Sequence, residues 1–105
     1  MLLDFPRDEY GHLADMDLWQ EAWISSLAQE IPLNLTARHI QAILWLRDYY
    51  VQYHHFPTIR YSIKALREVL QEPEFDSIQL HLLFPQSPLR YMSYCAGLPK
   101  PPHCL

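Results

Sequence analysis

Two residues of this chain carry a thiol, Cys95 and Cys104, and the second stands one residue from the end of the sequence. A thiolate is the nucleophile of disulfide and persulfide exchange, so the chemistry offered is the acceptance and release of sulfur. Cys104 follows Gly97-Leu98-Pro99-Lys100-Pro101-Pro102-His103, in which three prolines remove backbone donors and hold an extended course. Residues 97–105 therefore read as a mobile arm, with Gly97 as hinge and Pro99 to Pro102 as a semi-rigid spacer. Such an arm can carry sulfur out of its own protein and into a partner's active site. The competing reading is an inert thiol, because free cysteines commonly pack as small hydrophobes. Lys100 and His103 favour the thiolate while the carboxylate of Leu105 opposes it, so activation is expected from the partner's pocket.

The elements that must position this arm are mostly helical. Leu2 to Asp15, with Pro6, Gly11 and a charged Arg7-Asp8-Glu9 stretch, suits a β-hairpin. Asp17 is the expected cap of a first helix that runs through Leu18, Ala22, Ile24 and Ala28 to Pro32, with Trp19 and Trp23 on one face. Thr36 opens the strongest periodic segment (Ile40, Ile43, Leu44, Arg47, Val51), which is expected to be the central helix. Thr58 caps a third helix with Ile59, Ile63, Leu66 and Leu70 on one face, ending near Glu72-Pro73. Ser77 to Leu83 forms a short fourth helix closed by Pro85. Ser87-Pro88 places proline at the first position of a fifth helix that reaches about Cys95.

Composition narrows the function. The chain has 105 residues, half of them hydrophobic, enough for one core and one domain, residues 1–105. A formal charge of −4 leaves no excess of cations to neutralise phosphates, which argues against stable DNA binding. No apolar run approaches the roughly 20 residues that cross a bilayer, and Met1 to Asp8 is unlike a signal peptide, so a cytoplasmic protein is expected, without membrane contact. Two cysteines make no disulfide framework in that compartment.

The tail Ala96-Gly97-Leu98-Pro99-Lys100-Pro101-Pro102-His103-Cys104-Leu105 resembles the A-G-L-P-K-P-x-x-C-x ending of the DsrC/TusE family of sulfur carriers. Leu46-Arg47-Asp48-Tyr49-Tyr50, Pro57-Thr58-Ile59-Arg60, Lys64-Ala65 and Leu83-Phe84-Pro85 resemble further family segments in the same order, so the likeness runs from about Gly11 to the end. It implies a mainly α fold: a small orthogonal bundle of about five helices with an N-terminal β-hairpin and a flexible C-terminal arm. It also implies a sulfurtransferase role with Cys104 as the carrier residue. Family members paired with dissimilatory sulfite reductase have a second cysteine eleven positions before the tail cysteine; here that position is Ser93. Cys95 lies two residues on, about 200° away on a helix, and reads as a packed thiol. The likeness is therefore to the TusE branch, which implies a TusBCD-like sulfur donor, an MnmA-like tRNA thiolase with its tRNA as acceptor, and 2-thiolation of the wobble uridine.

Arg60, Lys64 and Arg67, at successive turns of one helix, are candidates for partner docking, with Lys100 and His103 on the arm; a solvated helix face is the plainer reading. Arg47 and Asp48 read as a local ion pair or interhelix contact. His54 and His55 diverge on a helix and neither cysteine has a metal-binding spacing, so no metal and no cofactor is expected. Tyr49, Tyr50, Tyr53 and Phe56 read as helix packing, not as a base-stacking surface. Two alternatives stay open: a carrier for sulfite reductase, and a helix-turn-helix regulator that reads DNA with the Ile59 to Leu70 helix.

Overall fold

The computed structural model describes residues 4–31 and 33–102. A 3-10 turn, Met16–Leu18, is followed by helices α1 (Trp23–Ala28), α2 (Ala37–Tyr53), α3 (Ile59–Val69), α4 (Ser77–Leu83) and α5 (Pro88–Cys95).

Local chemistry accounts for most boundaries. Thr36 begins α2 in extended conformation, and its N–H donates to Nδ1 of His39, the third residue of the helix, 3.0 Å away. Histidine thus stands where a capping box usually has Glu or Gln. The Thr58 hydroxyl accepts from the Tyr61 N–H at 3.0 Å, and the Asp76 carboxylate accepts from the Gln79 N–H at 2.9 Å. Pro88 occupies the first turn of α5, where a missing N–H costs nothing. α2 ends short of Pro57 because His54 turns left-handed (φ 60), and α3 ends short of Pro73 at Leu70, with Gln71 at φ 55. His54 and His55 therefore lie beyond α2, not along it.

The hub is α5, not α2. It packs against α1, α2 and α4, and Leu89, Met92, Ser93 and Cys95 are all buried; the small Ser93, Cys95 and Ala96 let neighbours approach closely. The buried stripe of α2 is His39, Ala42, Ile43 and Leu46, which leaves Val51 half exposed. Around these gather Ile24, Leu27, Leu66, Phe75, Leu80 and Phe84.

The N-terminal hairpin reduces to a single antiparallel bridge, Arg7 with Leu13, around a turn at Gly11 (φ 83); no strand forms among the described residues. Asp8 explains the difference. Its carboxylate accepts from the N–H of Tyr10 and of His12, at 2.8 and 3.0 Å, and winds the chain into a turn where pairing would otherwise continue. The first helix also starts later than expected. Asp15, not Asp17, caps the 3-10 turn, and the chain is extended at Trp19 (ψ 143), so Trp19 and Trp23 do not share a helix face.

Candidate functional site

The arm begins where α5 ends, and that end is held on every side. Gly97 adopts φ 69 while Leu98 N–H donates to Ser93 O at 3.0 Å and Gly97 N–H to Tyr94 O at 3.3 Å, the two bonds of a Schellman cap. The last carbonyls of a helix lack internal partners. Here two side chains take those of Cys95 and Ala96, and a third holds the Leu98 carbonyl just beyond the helix. The Trp19 indole N–H donates to Cys95 O at 2.9 Å, Arg47 Nη1 of α2 donates to Ala96 O at 2.8 Å, and His12 Nδ1 donates to Leu98 O at 3.0 Å.

Arg47 ties this end to the 3-10 turn as well. Nη2 donates to Met16 O at 2.9 Å, and the guanidinium lies 4.2 Å from the Trp19 ring centroid. It is the interhelix contact that the sequence suggested, and no ion pair with Asp48 forms. His12 is 2% exposed, and burial lowers its pKa, which keeps the ring neutral with its proton on the nitrogen facing Leu98.

The arm is non-helical, as the prolines require, but its first half lies against the body: Gly97, Leu98 and Pro101 are buried, and Lys100 Nζ sits 4.4 Å from the Tyr10 ring centroid. Pro102 is exposed. His103 and Cys104 lie outside the described residues. Beside Pro101 and Pro102 opens an apolar cavity of about 360 Å³, walled by Phe56, Ile59 and Leu89.

Cys95 is fully buried, and desolvation with the nearby Glu30 charge pushes its thiol up to about 12. At neutral pH it is a protonated, inaccessible thiol. Ser93 is also fully buried, its hydroxyl donating to Arg90 O at 2.9 Å. Arg60, Lys64 and Arg67 are exposed and line one groove of α3; Arg67 spends Nε on Phe75 O at 2.8 Å. Of the aromatic stretch, Tyr50 and Phe56 pack together as expected, whereas Tyr49 and Tyr53 join Trp45, His55 and Tyr61 in a surface cluster.

Trp19, Arg47 and His12 hold the root of the arm, yet in the sequence only Arg47 carries a sign of it, as part of the Leu46-Arg47-Asp48 segment. Each acts by donating to a backbone carbonyl far along the chain, and such acceptors leave no mark in residue types.

A mainly helical body on which residues 97–102 run as a non-helical, proline-rich segment defines the fold class. The family model described as DsrC like protein matches residues 3–105, and the chain belongs to that family. It is 35% identical over 103 residues to a Haemophilus influenzae protein named Sulfurtransferase TusE homolog, covering 98% of this chain and 94% of the relative. The NMR structure of Allochromatium vinosum DsrC superposes with a TM-score of 0.84 at 33% identity, covering 100% of this chain and 96% of that one. The oxidized γ-subunit of the dissimilatory sulfite reductase (DsrC) from Archaeoglobus fulgidus gives a TM-score of 0.83 at 33% identity, covering 96% and 92%.

Proposed function

We propose that this protein is a cytoplasmic sulfur carrier that holds sulfur as a persulfide on Cys104. In this reading it accepts sulfur from a TusBCD-like donor complex and passes it to an MnmA-like tRNA 2-thiouridylase for 2-thiolation of the wobble uridine. The observation that carries the proposal is the family match, which runs through the tail to residue 105 and is shared with relatives named as sulfurtransferases.

The chemistry is a balanced exchange. The Cys104 thiolate attacks the terminal sulfur of the donor's persulfide; the new sulfur–sulfur bond forms as the old one breaks, and the donor thiolate leaves. A thiolate of the acceptor then attacks the terminal sulfur on Cys104 and releases the Cys104 thiolate. No net oxidation occurs in either step. The body contributes position: with Cys95 O, Ala96 O and Leu98 O all held by side chains, the root of the tail is fixed on the body. Gly97 then serves as an anchor, and the residues past Pro102 deliver the thiol.

Ser93 and Cys95 favour the single-thiol branch over a sulfite-reductase carrier. Ser93 offers no thiol for a second sulfur bond, and Cys95 is buried and protonated.

A reconstituted relay of cysteine desulfurase, L-cysteine, donor complex, this protein, thiolase and tRNA tests the reading, with 2-thiouridine measured in the digested tRNA. Wild type and Cys95→Ala should support its formation and Cys104→Ser should abolish it. Equal yields with Cys104→Ser, or with the protein left out, would overturn the proposal.

A further inference from the structure

Three surface features adjoin one another beside Pro101 and Pro102. One is the apolar cavity beside Pro101 and Pro102. The second is the groove of about 550 Å³ that carries Arg60, Lys64 and Arg67, and Ile59 stands on the edge it shares with the cavity. The third is the ring cluster, joined to the cavity through His55, whose ring centroid lies 5.6 Å from that of Tyr49 and 6.2 Å from that of Tyr53. Tyr53 and Tyr61 are 50% and 49% exposed, large rings that the fold leaves uncovered.

Cations outnumber carboxylates in this groove, three to one. Arg60 and Lys64 form no ion pair with a described residue, on a chain whose formal charge is −4. The carboxylate that lines the groove, Asp76, is engaged by the Gln79 N–H at the start of α4. Cys104 stands two residues beyond Pro102, so covalent geometry keeps its Cα within about 7 Å of that exposed proline. A partner seated on the cavity beside Pro102 therefore stands next to the segment that carries Cys104.

We propose that His55, Phe56, Ile59, Arg60, Lys64 and Arg67, with Leu89 in the cavity wall, form the docking face for the protein that exchanges sulfur with Cys104, and that this partner presents an acidic edge flanking one apolar side chain. The apolar side chain enters the cavity and the acidic edge lies along Arg60, Lys64 and Arg67. The proposal rests on the carrier reading and adds where the partner sits and what chemistry it offers. An apolar pocket walled by Phe56, Ile59 and Leu89, with arginines in the adjoining groove, has the composition of a protein–protein anchor site. Three cations on an acidic chain give RNA little to hold. Exposed charges steer encounter and are screened by salt, which suits a carrier that must leave one partner to reach another.

The test compares the full-length wild type, Arg60→Glu/Lys64→Glu and Ile59→Glu for two loading rates of Cys104, followed by intact mass. One rate uses the persulfide-charged TusBCD-type donor complex, and the other uses inorganic polysulfide, which needs no docking. Both variants should load from the donor at least tenfold more slowly, load from polysulfide at the wild-type rate, and keep the wild-type circular dichroism. Rising salt should slow donor loading of the wild type and have a smaller effect on the double variant. Donor loading of both variants at the wild-type rate would overturn the docking face and leave the carrier reading standing. Failure of the wild type to load from the donor would overturn both. Loss of tRNA retention in the variants with unchanged donor loading would mark an RNA surface and overturn the protein partner.

Discussion

A β-carbon on Gly97 would stand against Cδ1 of Trp19 and 2.8 Å from its Cβ, so the indole is seated where any other side chain would begin. The same indole donates to Cys95 O and faces the Arg47 guanidinium. The glycine of the tail motif is therefore demanded twice, by its left-handed backbone and by the ring that covers it.

Gly97→Ala should destabilise the protein by roughly 2–5 kcal/mol, combining about 1–2 for the left-handed backbone with about 1–3 for overpacking. Urea unfolding measures it. Trp19→Ala should remove the overpacking part, so the double variant should cost less than the sum of the single ones; strict additivity would contradict the contact.

Arg47→Ala should cost about 2–4 kcal/mol, because two carbonyl bonds to a charged donor and a cation–π contact are lost together. Arg47→Lys should recover only part, since an ammonium cannot reproduce the planar fork that reaches Ala96 O and Met16 O. Amide exchange at Gly97 and Leu98 should accelerate in both variants. Protection equal to wild type there would show that Arg47 does not hold the root of the arm.

Stability should fall as the solution is acidified through the histidine range. His12 and His39 both have pKa values lowered from the ordinary 6.5 by burial. The unfolded chain thus binds protons at a higher pH than the folded one. Their contribution is complete above 6.5 and is lost as pH drops toward the folded values. His39 is neutral by construction: Nδ1 accepts from the Thr36 N–H and Nε2 donates to Leu83 O at 2.7 Å. Urea midpoints should decline from about pH 7 to about pH 5, less steeply in His39→Ala. A midpoint that rises over this window would contradict the assignment.

Cys95 should resist alkylation in the folded protein, being buried with its thiol pushed up to about 12. Of the two cysteines, iodoacetamide at neutral pH should modify one under native conditions and both in urea. Native labelling that appears on Cys95 in peptide maps would remove the argument for a single reactive thiol.

What could be read from the sequence, and what could not, divides along local and distant interactions. Thr36, Thr58 and Ser87-Pro88 mark the starts of α2, α3 and α5 because capping and proline geometry act within one turn. The left-handed residues His54 and Gln71 end two of these helices ahead of the prolines that first suggest their limits. The 3.6-residue period includes Val51, which is half exposed, and does not single out Leu46, which is fully buried, because which side of a helix is buried depends on where α3 and α5 lie. At the candidate site the motif around Cys104 is legible by resemblance. The clamp of Trp19, Arg47 and His12 on the tail root is not, since its acceptors are carbonyls that any residue could supply.

The most direct test of the central claim is intact mass spectrometry of the full-length protein after incubation with a cysteine desulfurase, L-cysteine and a donor complex. Wild type and Cys95→Ala should each gain the mass of added sulfur, sensitive to reductant, and Cys104→Ser should gain none. Sulfur that remains on Cys104→Ser, or that vanishes in Cys95→Ala, would contradict the assignment of Cys104 as the carrier.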